Sequence, residues 1–323
     1  MNYKLDIKDK KLLYELDLNS RQSYNQLSKK IKLSKNSVIN RISHLKESGI
    51  IKGFQTVLDV GKLGYISFRL NLKIQNASPE KEQEIINFLK KNENVVWIVS
   101  VEGTYNIASL ILVKSIQEMN LLWNELLEKY QNFISYRFLA IMTEVSYYSR
   151  VFLLDKKQNN YEIKIITEPN EVKLDKNDKE ILKLLVSNAR MQIIDIASKL
   201  KITPKTVISR KKFLENQKII IGYRTLFDYQ KLGYQYIKLH LNLHNIFASK
   251  KQEFQEFIKN HPNIIYNDFV LGGDDFEIEM NIDNSEKLRE IIDEIKKRFA
   301  GSIKDYHTEL FYKEHKYIFL PTS

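Results

Sequence analysis

The stretch LDIKDKKLLYEL, which starts at Leu5, returns as LDKNDKEILKLL at Leu174, an offset of 169 residues. Across this offset, residues 5–72 and 174–241 are identical at 25 of 68 positions without a gap. Glycines recur in the same way, as the pairs Gly53/Gly222, Gly64/Gly233 and Gly103/Gly272. A glycine that recurs at the same position of both copies usually marks a place where the backbone turns or approaches another segment closely. The chain of 323 residues is therefore a tandem duplication of a unit of roughly 150 residues.

The composition is that of a folded protein and excludes several classes. Hydrophobic residues make up 43% and charged residues 28%, which excludes a disordered chain. The chain has no cysteine, so disulfides, cysteine-based zinc sites and thiol nucleophiles are excluded. No apolar run approaches the roughly 18 residues that cross a bilayer, and the start MNYKLDIKDKK lacks the apolar core of a signal peptide. We expect a soluble, cytoplasmic protein with no membrane partner.

The positive charge is concentrated at the start of each repeat. The chain carries 51 Lys+Arg against 40 Asp+Glu, a net charge of +11. Residues 1–53 have a net charge of +7 and residues 174–222 of +6, so the rest of the chain is slightly acidic. Two basic segments on nearly neutral units favour a polyanionic partner over a merely solvated surface.

Each basic segment has the pattern of three short helices followed by a strand. In the first copy, apolar residues have helical spacing over Leu5–Leu18 and Tyr24–Ile31, and Ser34 is suited to cap a third helix. In the second copy, Thr203-Pro204 combines an N-cap with proline at the first helical position. The runs IIKGFQTVLD and IIIGYRTLFD that follow the third helices suit a small β wing. This order predicts a winged helix-turn-helix in each repeat.

The third helix of such a motif enters the DNA major groove with its N-terminal residues at base edges. Asn pairs with adenine, Lys donates to guanine, and Arg41 and Arg210, one turn further on, are suited to phosphate. The alternatives are salt bridges within the helices for the two arginines and a solvated polar face for the asparagines. The predicted DNA-contacting residues are Ser34, Lys35, Asn36, Ser37, Asn40 and Arg41 in the first copy and Thr203, Lys205, Thr206, Ser209, Arg210 and Lys212 in the second.

The remainder of each repeat reads as β-α-β-β-α-β, a ferredoxin-like fold. Open sheets of this kind leave an edge and a face to cover, which favours pairing between the copies. The predicted fold class is α+β. We predict winged heads at 1–60 and 174–229, ferredoxin-like bodies at 61–153 and 230–323, and a linker at 154–173 with a short strand at Tyr161–Ile166.

At this level of detail the chain resembles Lrp/AsnC (feast–famine) transcriptional regulators. The resemblance rests on an ordered set of residues: the Leu-Asp…Asp opening, Arg21, Leu33-Ser34, Arg41, Leu45, Gly49-Ile50-Ile51, Gly53, Asp59 and Leu63-Gly64-Tyr65. It implies a sequence-specific DNA-binding regulator that is not an enzyme. It also implies that the bodies are RAM (regulation of amino-acid metabolism) domains, which pair subunits, so we expect a homo-oligomer, a dimer or larger.

The sequence departs from this family in the turns and in one core position. The turn before the third helix usually carries Gly in the family, but here it carries Lys32 and Lys201. A left-handed backbone there costs a residue with a side chain about 1 kcal/mol. In the second copy, Lys211 replaces the apolar Ile42 and Lys218 replaces Gly49. We therefore expect the first head to read sequence and the second to add mostly nonspecific affinity.

The resemblance further implies an amino-acid effector bound near the Gly-containing turn of each RAM domain. Successive backbone N–H groups in such a turn can hold a carboxylate, and Asp275 is suited to face an amine. The alternative is that these are ordinary hairpin turns. The residues concerned are Gly103, Tyr105 and Asn106 in the first copy and Gly272, Gly273, Asp274 and Asp275 in the second. No other cofactor is expected.

Two further functions compete with the regulator. The first is a siroheme decarboxylase, an enzyme whose subunits resemble the same fold. Its characteristic His and Arg residues are missing from TVLDVGKLGY, TLFDYQKLGY and NVVWIVSVEG. The second is a sensor or assembly protein that does not bind DNA, which the charge distribution disfavours. His240, His244, His307 and His315 form no HExxH-type motif, so we expect surface or half-buried histidines and no metal.

Overall fold

The computed structural model describes residues 5–154, 161–167, 170–244, 247–318 and 320–321. These residues form ten α-helices and eleven strands, the mixed α+β architecture that the sequence predicts. None of the helices in the described ranges is long and apolar enough to cross a membrane.

The first repeat contains a helical head and a ferredoxin-like body in the predicted order. Its elements are α1 (Ile7–Leu18), α2 (Tyr24–Ile31), α3 (Lys35–Glu47), β1 (Ile51–Leu58), β2 (Ile66–Ile74), α4 (Pro79–Lys91), β3 (Val95–Glu102), β4 (Ile107–Val113), α5 (Ile116–Tyr130) and β5 (Ile134–Tyr148). The short strand predicted between the repeats is present as β6 (Glu162–Ile166). It pairs with β5, so this part of the connection belongs to the sheet.

The second repeat follows the same order. Its elements are α6 (Lys176–Ser187), α7 (Ile193–Leu200), α8 (Pro204–Asn216), β7 (Ile220–Phe227), β8 (Gln235–Leu243), α9 (Ala248–Asn260), β9 (Ile264–Leu271), β10 (Phe276–Ile282), α10 (Ser285–Arg298) and β11 (Ile303–Tyr317). Side chains cap the recognition helices α3 and α8 as expected, since Ser34 accepts from Ser37 N and Thr203 accepts from Thr206 N.

The two bodies close on each other into one barrel, which confirms that the copies pair. The strands follow the order β2-β4-β3-β11-β8-β10-β9-β5, and β5 pairs again with β2. The long strands make the closure possible. β5 pairs with β2 of its own body along its first half and with β9 of the other body along its second half, and β11 does the same with β8 and β3. Pairing every edge strand removes the exposed edges of two open sheets.

The heads are joined in the same reciprocal way. Each head supplies one wing strand, and β1 and β7 pair with each other, antiparallel. The Arg21 guanidinium donates to the carbonyl oxygens of Ala189 and Met191 in the other head. In the same way, the Arg190 guanidinium donates to two carbonyl oxygens in the first head. The heads therefore form one body whose two halves are related by the repeat.

The predicted left-handed turns are present at both lysines before the recognition helices. Lys32 has φ 54° and Lys201 has φ 55°. Lys218, which replaces Gly49, also has a positive φ of 55°. With Asn76 at φ 49°, the described residues carry four left-handed backbone positions on residues with side chains, and each of the three lysines costs about 1 kcal/mol there.

Lys211 shows how the second head tolerates a charged residue at a core position. Ile42 is buried in the first head, whereas Lys211 is half-buried. Its ammonium group reaches Glu215 Oε1 at 2.6 Å, and the same oxygen accepts from the Tyr223 hydroxyl. The aliphatic part of the Lys211 side chain packs against the head while its ammonium group pairs with Glu215, so the second head keeps its fold.

Candidate nucleic-acid interface and barrel interior

The N-terminal turns of both recognition helices present polar side chains to solvent. Lys35, Asn36 and Asn40 on α3 are exposed. Ser34 and Ser37 bond to each other through their hydroxyl oxygens at 2.9 Å, so they have a structural role at the start of the helix. The structure thus leaves one Lys and two Asn side chains of the first head available to base edges.

The second recognition helix presents a different set. Lys205, Ser209 and Lys212 are exposed, and Thr203 bonds to Thr206 as its serine counterparts do in the first head. Ile208 is 52% exposed on the same helix, and the sequence analysis did not single it out. An apolar side chain at this place suits the methyl group of thymine. Because Ile208 lies between Lys205 and Ser209 in the sequence, its exposure on the side of α8 proposed to face DNA could have been predicted.

Arg41 and Arg210 are held by carboxylates at the start of the first helix of their own head. Arg41 Nη1 lies 2.6 Å from Asp9 Oδ1 and 2.8 Å from Asp6 Oδ2. Arg210 Nη2 lies 2.6 Å from Asp175 Oδ2 and also contacts Asp178. The hydrogen bond to Asp9 raises the pKa of Arg41. The structure therefore shows the salt-bridge alternative for both arginines, and their contact with phosphate stays a prediction.

The two turns predicted to hold an effector lie at contacts between the bodies. Asn106 accepts from Ile74 N at 2.9 Å, and Asp275 accepts from Leu243 N at 2.7 Å in the equivalent place. A Cβ atom on Gly103 would lie 2.5 Å from Thr308 O on β11. Gly272 faces the equivalent strand, and a Cβ there would lie 3.8 Å from Leu139 O. Asp275 thus has an internal partner, and effector binding at these turns stays a prediction.

The interior of the barrel holds a buried network of charges, which we call the charge network: Arg69, Lys238, Asp268, Glu277 and Glu279. Arg69 lies 2.6 Å from Asp268 and 2.8 Å from Glu277. Lys238 lies 2.7 Å from Glu277 and 3.3 Å from Glu279. Burial, followed by the nearby charge of Asp268, raises the pKa of Glu279 to about 8. Three carboxylates against two cations leave one of them to be neutralised by a proton.

His240 corrects the expectation that the histidines lie at the surface or half-buried. Its side chain is only 1% exposed, and Nδ1 lies 2.9 Å from Asp274 Oδ2. Burial alone would lower its pKa, but the hydrogen bond with Asp274 and the nearby carboxylate of Glu309 raise it to about 10. His307 lies directly opposite on β11, with the rings stacked at a centroid distance of 4.3 Å. Sheet register brings these two histidines together although they are far apart in sequence, so no sequence motif predicted their proximity.

A cavity of about 420 Å³ lies between the charge network and the wing strands. Arg69, Asp268 and Glu279 contribute charges of both signs to its wall. Most of the remaining wall is aromatic or aliphatic, and its aromatic residues are Trp97, Tyr147, Tyr229, Tyr236, Tyr266, Phe227, Phe311, Tyr312 and Tyr317. An apolar cavity with a few convergent charges is the usual form of a small-molecule site.

Comparison with known proteins assigns the chain to a family. The model of winged helix-turn-helix DNA-binding domains matches residues 5–52 and 174–221, one match in each head. An uncharacterized HTH-type transcriptional regulator of Pyrococcus abyssi is 32% identical over 36% of this chain and 78% of its own length. The HTH-type transcriptional regulator Ptr1 of Methanocaldococcus jannaschii is 31% identical over 36% and 76%. The chain belongs to the family of HTH-type transcriptional regulators that these relatives represent, in agreement with the Lrp/AsnC resemblance of its sequence. The matched length corresponds to one of its two repeats.

Among solved structures, siroheme decarboxylase NirDL is similar over the whole chain. It covers 97% of this chain and 94% of its own, with a TM-score of 0.63 and 13% sequence identity. At this identity the comparison shows the fold alone, a tandem pair of heads and bodies. The tandem Lrp-like architecture predicted from the sequence is therefore confirmed.

Proposed function

We propose that this member of the family is a sequence-specific regulator whose two joined heads bind one double-stranded DNA site in the cytoplasm. The observation that carries the proposal is the joint presentation of α3 and α8. Their N-terminal turns expose Lys35, Asn36 and Lys205, and Lys212 is exposed further along α8, while β1, β7 and the reciprocal arginines join the heads. Because the contacts with phosphate come from Lys and Arg, DNA binding must release counterions.

The test is selection of bound DNA from a random pool, followed by titration of the selected site at low and physiological salt. We expect the affinity to fall on the order of 10³-fold between 50 and 200 mM salt. Lys35→Ala should weaken binding, and Lys91→Ala, an exposed lysine on α4, is the matched control that should not. Binding that is independent of salt, or equally weakened by both variants, contradicts the proposal. It would favour the sensor that does not bind DNA.

We propose in addition that an amino acid or a similar zwitterion is the effector, and that it binds in the cavity. The cavity offers Arg69 to a carboxylate and Asp268 to an amine, with Glu279 and aromatic walls around them. Arg69 and the carboxylates pair with each other, so a zwitterion would exchange with ion pairs of matching charge. The RAM turns are the alternative location, with Asp274 and Asp275 engaged by internal partners.

One fluorescent residue separates the two locations. The chain has two tryptophans, Trp97 in the cavity wall and Trp123 on α5. In the Trp123→Phe variant, an effector in the cavity should change the emission of Trp97 on titration with a panel of amino acids. An effector at the second turn should instead lose affinity in Asp275→Asn and leave Trp97 unchanged. If no amino acid of the panel changes the thermal stability of the protein, both proposed locations of the effector are contradicted.

The enzyme alternative rests on the similarity to NirDL over the whole chain. We propose that this chain is not such an enzyme, because its charge network has more carboxylates than permanent cations. Asp268, Glu277 and Glu279 surround Arg69 and Lys238, and a tetrapyrrole that carries several carboxylates would be repelled there. A shift of the porphyrin absorbance on adding siroheme, with loss of its carboxyl groups over time, would overturn this.

We also propose that chains associate further, into a dimer or larger. Ile116 and Leu121 on α5 are each 64% exposed, and we propose that these large apolar side chains contribute to a contact between chains. Light scattering at micromolar concentration gives the answer, since a mass of one chain contradicts the larger assembly.

A further inference from the structure

The barrel interior contains a second set of polar groups, next to the charge network, that converges from three elements of the second body. His240 lies on β8, His307 and Glu309 on β11, and Asp274 in the turn between β9 and β10. His240 and His307 are directly opposite each other in the ladder of β8 and β11. Glu309 lies two residues beyond His307, so its side chain is on the same face of the sheet. Both rings and both carboxylates therefore reach one volume.

The donor atoms of three of these side chains, His240, Asp274 and His307, lie close enough to share one ion, and Glu309 lies on the Nε2 side of the His240 ring. One ligand atom from each of His240, Asp274 and His307 falls within 4.8 Å of the others. His240 Nδ1 is 2.9 Å from Asp274 Oδ2, and its Nε2 is 3.6 Å from Glu309 Oε2. Imidazole nitrogens and carboxylate oxygens are the ligands that zinc takes in the absence of thiolates.

Buried atoms without hydrogen bonds point into this volume. Both carboxylate oxygens of Glu309 accept no hydrogen bond from any described residue, although the side chain is fully buried. Nε2 of His240 and Nε2 of His307 are likewise without a hydrogen-bond partner in the described parts of the chain. A buried polar atom is nearly always hydrogen-bonded in a native protein, and the 3.6 Å contact between His240 Nε2 and Glu309 Oε2 is longer than a hydrogen bond, so these buried atoms together favour a bound ligand.

The surrounding charge favours a cation as that partner. Within the described residues, five carboxylates gather here, and they face two permanent cations and the imidazole of His240. The carboxylates are Asp268, Asp274, Glu277, Glu279 and Glu309, and the cations are Arg69 and Lys238. A divalent ion beside Glu309 and Asp274 would compensate the excess negative charge at short range.

The first body has a different set of residues at the same positions. Asn71, Tyr105, Phe138 and Ala140 stand where the second body has His240, Asp274, His307 and Glu309. Tyr105 and Phe138 pack ring against ring at 6.0 Å, so this half of the interior is filled by aromatic packing. Tyr105 also contacts the edge of His307 at 6.4 Å. Aromatic residues of the first body therefore pack against the histidine and carboxylate group of the second body.

We propose that His240, Asp274, His307 and Glu309 bind one divalent transition-metal ion of the zinc class. Two imidazoles and two carboxylates match the N and O ligands of Zn²⁺, Co²⁺ and Ni²⁺, and the chain has no thiolate that would select copper(I). The ion would tie β8 and β11 to the turn before β10 beneath the aromatic residues of the first body. This inference does not rest on the proposed DNA binding.

The experiment titrates the chelator-treated full chain with ZnCl₂ by calorimetry, together with ¹⁵N imidazole spectra of the histidines. We expect one Zn²⁺ per chain and shifted signals from His240 and His307. His307→Gln and Asp274→Asn should each weaken the affinity by roughly 100-fold or more, because each removes a ligand. His244→Gln is the matched control, since His244 follows β8 and is exposed, and it should bind as the parent chain does.

Three results would overturn the proposal. They are no uptake of Zn²⁺ at micromolar concentration, equal affinity in the parent chain and in Asp274→Asn, or shifts confined to His244 and His315. Asp274 lies in a turn and is partly exposed, so its variant keeps the test valid if His307→Gln does not fold. Salt-dependent DNA binding measured on the same preparations reports the proposed function separately, so either can fail without the other.

Discussion

The two bodies share one backbone plan but differ sharply on the faces that meet inside the barrel. The helix-facing sides are alike, with Leu70 and Leu72 in the first body matched by Leu239 and Leu241 in the second. On the inner side, Val99, Ala108 and Leu110 correspond to Asp268, Glu277 and Glu279. The outward face has to fit the helices and tolerates little change. The inward face of only one body is acidic, and the proposed metal and effector sites both use its residues.

The largest expected effect concerns Asp17, whose counterpart in the second repeat is Val186. The Asp17 carboxylate is fully buried and pairs with Arg150 and Arg224, each at 2.6 Å. Asp17→Ala leaves two buried guanidinium groups without their anion and should lower the free energy of unfolding by about 3–5 kcal/mol. Val186→Ala, the matched change, should cost about 1 kcal/mol. Chemical denaturation measures both, and equal losses would show that the asymmetric ion pairs do not hold the heads to the bodies.

The second effect is a pH dependence that only the acidic body should confer. The pKa of Glu279 is raised from 4.5 to about 8, so the folded protein keeps a proton that the unfolded chain releases between these values. The stabilising contribution is full below pH 4.5 and is lost as the pH rises to 8, by up to about 1.4 kcal/mol per pH unit. Glu279→Gln should flatten this slope in denaturation curves taken from pH 5 to 8. An unchanged slope would place the titrating proton elsewhere.

The third effect separates the two heads on DNA. Asn36 and Lys205 occupy equivalent positions in the two recognition helices. Asn36→Ala should change the preferred base at one position, at about 1–3 kcal/mol, because an amide pairs with a specific base edge. Lys205→Ala should weaken binding to all sequences alike. Repeated selection with each variant provides the measurement, and a changed consensus for Lys205→Ala alone would reverse the roles that we assign to the heads.

The smallest effect tests the left-handed positions. Lys218→Gly restores the residue that the first head has at Gly49 and should stabilise the protein by about 1 kcal/mol, since glycine adopts φ 55° without steric cost. Lys199→Gly, an exposed lysine within α7, is the control and should destabilise by a similar amount. Thermal denaturation of both variants should therefore give shifts of opposite sign.

Features that depend on neighbouring residues could be predicted from the sequence, whereas features that depend on contacts between distant segments could not. Helix starts such as Ser34 and Thr203 were predictable because capping depends on neighbouring residues. The pairing of β1 with β7 was not, because each run looked sufficient for a wing of its own. The proximity of His240, His307 and Asp274 follows from strand register and one turn, across separations of 34 and 67 residues. Arg41 was assigned to phosphate, and only the structure shows the carboxylates that hold it.

The joining of the heads by β1 and β7 has a consequence for how the protein lies on a chromosome. A symmetric dimer of identical subunits reads a palindrome and has no front or back, because protein symmetry is mirrored in the operator. Here the two halves can never be exchanged, and they present Lys35 and Asn36 on one side and Lys205 and Ile208 on the other. The bound chain therefore has a polarity along the double helix. The proposed binding of one DNA site by both heads would therefore distinguish the two directions along the double helix.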